Sequence, residues 1–338
     1  MPSRKQPRVA SGGRLRYFRL LVILIGLCWG SVAQAQKVEA QAVKTDLTEG
    51  TVLIGDLQVP ARAASLAEFT YTIKLWADGE VPFVFDANAN EHSQNAMRAA
   101  MAEWEKVAGV HFRPAQETDV NYVHIQNSDS NNSAIGMWGG KQIINIVSWD
   151  SKFIMAHELG HCLGLWHEHT RPDRDAYVEI IGQNIQAGKE HNFALNNSAA
   201  TYGLYDFDSV MHYSKCTFST GCPPGQTCEC AAGTETILVR EPYKAEWQNK
   251  IGQRTHLSSL DRAGMSSLYP VPVFVDGSYT GKVEKGTSDQ PFKSFVAGAE
   301  AVAPGGRVIV RPGSYAAAGS YDKPMRIKAP RGEVTLGN

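Results

Sequence analysis

The eleven residues His157-Glu158-Leu159-Gly160-His161-Cys162-Leu163-Gly164-Leu165-Trp166-His167 constrain this chain more than any other stretch. If Phe153 to Leu163 form a helix, positions four apart share a face, so His157 and His161 aim two imidazoles at one point. Two imidazoles do not complete a site, because Zn²⁺ takes about four ligands and a catalytic zinc keeps one position open. Gly164 can adopt the left-handed backbone that ends a helix, and a reversal there returns His167 to the same point as a third ligand. Glu158, beside the first ligand, is placed to take a proton from metal-bound water. A bare H-E-x-x-H also occurs in helices that bind nothing. The longer H-E-x-x-H-x-x-G-x-x-H fixes two more positions and calls for a methionine turn downstream. Ser209-Val210-Met211-His212-Tyr213 supplies one, after the turn-forming Tyr205-Asp206-Phe207-Asp208. The metal ligands expected are therefore His157, His161 and His167, above an apolar floor at Met211.

The string HELGHCLGLWHEHTRPDRDAYVEI, followed by YDFDSVMHY, resembles the signature of the astacin family of metzincin zinc endopeptidases. The likeness runs from about Trp76 to Tyr269 and takes in Val81-Pro82-Phe83, Leu257-Ser258 and Asp261. It implies an α+β fold of the zincin type: a twisted, mostly parallel sheet with two long helices, above an irregular C-terminal subdomain, and a cleft between them. It further implies that Tyr213 rests on the metal and swings to hydrogen-bond the oxyanion. The strand at Gln142 to Val147 would border the cleft and pair with an extended substrate. Leu53-Ile54-Gly55-Asp56 is similar to the family's phenylalanine-x-glycine-aspartate propeptide motif, which makes Asp56 a zinc-blocking inhibitor; a turn with a solvated Asp56 is the other reading. After activation, between Arg62 and Ala67, the freed amino terminus would fold in toward Glu168; without processing, Glu168 is a surface residue.

Residues 1–35 hold Arg4, Lys5, Arg8, Arg14, Arg16 and Arg19 with no acid, then the apolar run Leu20 to Trp29 and the small-x-small pattern Ala33-Gln34-Ala35. This reads as a secretory signal cut after Ala35, and so as export to the extracellular space or periplasm. The run falls short of the ~20 residues of a stable membrane anchor, the competing reading. Cys28 is discounted for lipidation because Leu27 precedes it. Loss of those six cations takes the formal charge of the chain from -1 to -7, which argues against nucleic acid as a partner. Residues 36–66 are polar and weakly patterned, as a propeptide would be, 67–270 form the protease-like domain, and 271–338 a β-rich tail.

Within the domain, Val81 to Phe85 reads as a strand whose Pro82 favours an edge or first position. Met97, Ala100, Met101, Trp104 and Val107 recur at helical spacing as a core stripe ended by Gly109. Val110 to Phe112, Tyr122 to Ile125 and Gln142 to Val147 supply further strands, around a polar Asn127 to Gly140. Asp150 or Ser151 can cap the metal-site helix, whose Phe153, Ile154, Leu159 and Leu163 face the core. Cys162 is turned about 100° from the metal by helix geometry and reads as a small hydrophobe, ahead of a redox or ligand role. Arg171 to Asp175 is either a solvated loop or a paired network.

Cys216, Cys222, Cys228 and Cys230 crowd one loop, where local disulfides are expected in an exported chain and three pairings are possible. The bridges usual in animal members are missing: Gly109, Asn131 and Trp149 stand where half-cystines would be sought, and Pro270-Val271 follows Tyr269, as in a bacterial-like member. The tail is similar to the opening coil of pectate-lyase-type parallel β-helices, although such coils need about three repeats. Packing against the protease is its expected role. The function expected is a secreted zinc endopeptidase acting on proteins or peptides. A metal-dependent hydrolase of cell-wall peptides and a metal-free binding protein are the alternatives.

Overall fold

Helix α1, Glu91–Glu105, follows from one stripe and one cap. Met97, Ala100, Met101 and Trp104 recur every three or four residues and are all buried, and the Asn90 side chain accepts from the Ser93 amide at 2.9 Å. The computed structural model describes residues 51–60, 73–224 and 228–337. The stretches read from sequence as a signal (1–35), as most of a propeptide (36–66) and as an activation cut (62–67) lie largely outside the described residues. No helix among the described residues is long and apolar enough to cross a membrane.

Helix α2, Lys152–Cys162, packs on α1 and is fixed there by Trp104, whose indole donates to the Ala156 carbonyl at 2.9 Å. Ser151 is its N-cap residue, but its side chain makes no capping bond, and Asp150 meets His92 instead at 3.1 Å. Phe153 and Ile154 are only half-buried, so Met155, Ala156, Leu159 and Leu163 carry the core contact. Leu159, Leu163 and the half-buried Phe153 face the core as expected, whereas Ile154 does not join it and the expected cap is not made; the first turn lies near the surface, where water can satisfy its free amides.

Seven strands form one sheet: β1 (Thr51–Ile54), β2 (Leu57–Pro60), β3 (Glu80–Phe85), β4 (His111–Pro114), β5 (Tyr122–Asn127), β6 (Asn132–Ala134) and β7 (Lys141–Ile146). Their order is β1-β2-β6-β7-β5-β3-β4. The β1–β2 and β6–β7 pairs are antiparallel and the rest parallel. The α+β, mostly parallel architecture therefore holds, with two departures. Pro82 is in an interior strand, not at an edge; β5 joins β3 only from Phe83 onward, so no ladder bond is lost where proline lacks its N–H. The strand at Gln142 to Val147 does not border the cleft either, because β7 is paired on both sides and β6, inside the expected polar loop, takes the outer place.

Below the sheet, a second core gathers Val178, Phe193, Tyr205, Phe207, Tyr213, Ile237 and Val239 around the antiparallel pair β8 (Val178–Ile180) and β9 (Ile237–Val239). The loop between Tyr213 and β9 is closed by disulfides Cys216–Cys230 and Cys222–Cys228. Helix α3, Ser259–Leu268, begins with a capping box of Ser258 and Asp261.

After α3 the chain forms β10 (Val273–Val275), helix α4 (Phe295–Ala301), β11 (Arg307–Val310), β12 (Gly313–Tyr315), β13 (Arg326–Lys328) and β14 (Val334–Leu336). β10, β11 and β13 run parallel around a small core of Val275, Phe295, Val308 and Val310. This module touches the preceding domain: Arg307 Nη2 donates to the Gly109 carbonyl at 2.8 Å, and Asp78 receives Lys328 and, at 3.2 Å, Arg326.

Candidate metal centre

Helix α2 presents His157 and His161 on one face, as a spacing of four requires. The helix stops at Leu163, and Gly164, at φ +109°, turns the chain in a conformation few other residues adopt. The turn delivers His167. The Nε2 atom of His161 then lies 3.1 Å from Nε2 of His157 and 3.1 Å from Nε2 of His167. All three rings are buried.

The other ring nitrogens explain why Nε2 points inward. Nδ1 of His157 donates to the Val210 carbonyl at 2.7 Å, and Nδ1 of His161 to the Leu165 carbonyl at 2.7 Å. With the proton on Nδ1, each Nε2 carries a lone pair. Burial pushes the His157 pKa down to about 3, and the positive charge of Arg254 adds to the effect. Neutral imidazoles with lone pairs converging at hydrogen-bond distance repel one another unless a cation sits among them, so the donor set fits a metal ion.

A fourth group arrives from the β1–β2 hairpin. Asp56 places one carboxylate oxygen 2.8 Å from Nε2 of His167 and the other 3.1 Å from Nε2 of His157. The four ligand atoms lie within 4.8 Å of one another. The turn that carries Asp56 is held by the Ser133 amide, which donates to the Asp56 carbonyl at 2.9 Å, and by Gln58, whose side chain donates to Asn132 at 2.5 Å.

Glu158 is buried beside the first ligand, and its Oε2 has no hydrogen-bond partner among the described residues. Burial pushes its pKa well above the carboxylic range, and the Asp56 charge pushes it further. A carboxyl group in that setting holds a proton readily, as an acid–base catalyst must.

The floor is the Ser209–Tyr213 turn. Met211 is buried, and Asp261 of α3 fixes the turn by accepting from the Ser209 hydroxyl at 2.6 Å and the Val210 amide at 2.8 Å. Since Val210 orients His157, Asp261 acts on the metal site through one intervening residue. Tyr213 lies with its ring 4.4 Å from that of His167 and stacks on His169 at 4.0 Å.

Three neighbours receive no role in the sequence reading. Arg254 Nη1 donates to the carbonyls of His212 at 3.1 Å and Gln253 at 2.8 Å, while its charge bears on Asp56, Glu158 and Tyr213. His169 walls Tyr213 on one face. Phe218, from the disulfide-closed loop, approaches Tyr213 edge-on at 6.0 Å. No local pattern surrounds Arg254 that would single it out, whereas His169 lies inside the histidine signature.

Glu168 accepts from the Asp206 amide at 2.8 Å and faces Arg171 at 3.2 Å; burial pushes its pKa up to about 8. A cavity of about 720 Å³ opens beside it, lined in part by Ile73, Leu75, Tyr202 and Leu268. Of the two readings of 171–175, the paired network is the one found: Arg171 binds Asp173 at 2.9 Å and Arg174 binds Asp175 at 2.9 Å. Cys162 is buried and free, with its thiol pushed up to about 12 by burial, consistent with a packing role.

Comparison with known proteins bears on the same stretch. The family model for astacin, described as a peptidase family, matches residues 68–270. Bone morphogenetic protein 1 of Xenopus laevis is 40% identical over 204 residues, covering 59% of this chain and 27% of that protein. Tolloid-like protein 2 of Homo sapiens is 37% identical over 239 residues, covering 67% and 22%. The chain thus spans about a quarter of the length of these relatives. Among solved structures, high choriolytic enzyme 1, a hatching enzyme zinc-protease from Oryzias latipes, matches with a TM-score of 0.51 at 27% identity, covering 59% of this chain and 94% of that one.

Proposed function

The chain belongs to the astacin family of peptidases, and from that premise we propose that it is an exported zinc endopeptidase made as a precursor. The observation that carries the reading is the convergence of three buried imidazole nitrogens with the carboxylate of Glu158 beside them. His157, His161 and His167 would hold the metal. Zn²⁺ bound there supplies a Lewis acid that polarises a carbonyl and acidifies water.

The rest of the chemistry belongs to the protein. Glu158, with an unpartnered oxygen and a raised proton affinity, takes the proton of the attacking water and returns it to the departing amine. Tyr213 keeps its proton because burial opposes the phenolate, so it can donate to the oxyanion as charge develops there. Asp261 and Val210 keep the His157 ring in the tautomer that exposes Nε2.

In the precursor, Asp56 would take the open metal position where the attacking water belongs, and the β1–β2 hairpin covers the free side of β6. Once the hairpin is cut away, the new amino terminus enters the cavity beside Glu168 and pairs with that carboxylate. Two disulfides in the loop after Tyr213 suit an oxidising compartment, in line with a cleaved signal over 1–35. Residues 271–338 serve as a β-rich brace of the kind that opens a parallel β-helix.

The test is a casein or peptide cleavage assay on the full chain and on chain cut between residues 62 and 67, with Glu158→Ala beside them. The cut chain should cleave, the uncut chain should be silent, and Glu158→Ala should keep its zinc while losing at least about 10²-fold in kcat. Full activity in Glu158→Ala contradicts the assignment.

A further inference from the structure

The β1–β2 hairpin does more than carry Asp56 to the metal. Leu57 and Val59, two residues apart on one face of β2, are each 1% exposed, and they form a separate small core with Ile135, itself fully buried. Ile54, Ile73 and Trp166 pack against this core. Ile135, Ile73 and Trp166 belong to the protease domain; the other three belong to the hairpin. When the hairpin leaves, an apolar trough is uncovered next to the metal centre. A cavity of about 30 Å³ remains beside Leu57, between Ile54, Trp166 and Leu195, so the trough has room for a side chain somewhat larger than leucine.

We propose that this trough, built from Ile135, Ile73 and Trp166, is a substrate subsite that selects aliphatic side chains in the residues preceding the scissile bond. The inference rests on the proteolytic reading above. The direction follows from the register. β2 runs parallel to β6, with Leu57 opposite Ser133 and Gln58 opposite Ala134, and leads away from Asp56 and the metal. Antiparallel pairing is the more stable of the two modes, and a substrate that takes it on β6 runs the opposite way, toward the metal. Its residues over the trough therefore come before the bond to be cut. Main-chain pairing on β6 gives affinity to any extended peptide, and the trough adds the side-chain preference that the backbone cannot supply.

The experiment offers a randomised peptide library to the full chain, zinc-loaded and cut between residues 62 and 67, and sequences the products. Leu, Ile and Val should be enriched at one or more of the three positions before the cut, and replacing that residue by Asp in a single substrate should lower kcat/KM by about 10- to 100-fold. Ile135→Glu should move the preference at that position toward Lys and Arg, a change that mere loss of fold does not produce. A synthetic peptide of residues 51–60 should bind the cut chain at least tenfold tighter than its Leu57→Asp version, which needs no folded variant. Cleavage without aliphatic enrichment before the cut, or equal binding of the two peptides, overturns the subsite and leaves the protease reading standing. Failure of the zinc-loaded, cut chain to cleave any peptide overturns both.

Discussion

Gly55 sits at φ +68°, and a Cβ built there would lie 2.0 Å from the Tyr213 hydroxyl, so no larger residue fits between the hairpin and the tyrosine. Gly55→Ala should therefore loosen Asp56 from the histidines, and the uncut full chain should show proteolysis that the unaltered chain lacks, measured on a fluorogenic peptide. At the same scale, Asp261 serves two donors of the metal-site floor, the Ser209 hydroxyl and the Val210 amide. Asp261→Ala leaves the buried amide unpaired at a cost of about 1–3 kcal/mol. It should also weaken zinc affinity by roughly 10-fold or more, because the orientation of His157 depends on Val210. A chelator competition titration reads that shift directly.

Elements differ in how much of them the sequence discloses. The meeting of His157, His161 and His167 is local: one helical turn and one glycine reversal join ligands spread over eleven residues, and that geometry is legible in the spacing. β6 is not legible, because Asn-Ser-Ala has no apolar alternation and its three residues become a strand only through β7 on one side and β2 on the other. With β6 unreadable, the family resemblance puts β7 at the cleft edge in its place. Arg254 is also silent in sequence, since its charge comes to bear on Glu158 and Asp56 only through the folded chain that sets its guanidinium on the His212 and Gln253 carbonyls. β4 offers a prediction with a clear sign. Arg113 grips Asp119 through two bonds of 2.7 Å, and this grip, followed by the Gln116 amide, pulls the carboxyl down to about 2. The folded value lies below the unfolded one of about 4. The pair's contribution is therefore complete above about pH 4 and is lost as pH falls toward about 2. In thermal melts, Asp119→Asn should sit below the unaltered chain at neutral pH, and the gap should close across that window.

At the scale of the whole molecule, the C-terminal module holds the entry to the sheet. Arg307 is buried and donates to the Gly109 carbonyl, where α1 gives way to β4, and Asp78, just ahead of β3, receives both Arg326 and Lys328. Arg307→Ala leaves that carbonyl without its donor, at about 1–3 kcal/mol, and should lower the melting temperature by several degrees while leaving peptide cleavage at neutral pH unchanged below the transition. The most direct test of the account is X-ray absorption at the zinc edge on the uncut full chain after metal loading. One tightly bound zinc per chain is expected, in a shell of three imidazoles and one carboxylate oxygen, with the imidazole count falling in His161→Ala. A chain that retains no zinc, or a shell containing sulfur or fewer than three imidazoles in the unaltered protein, would contradict it.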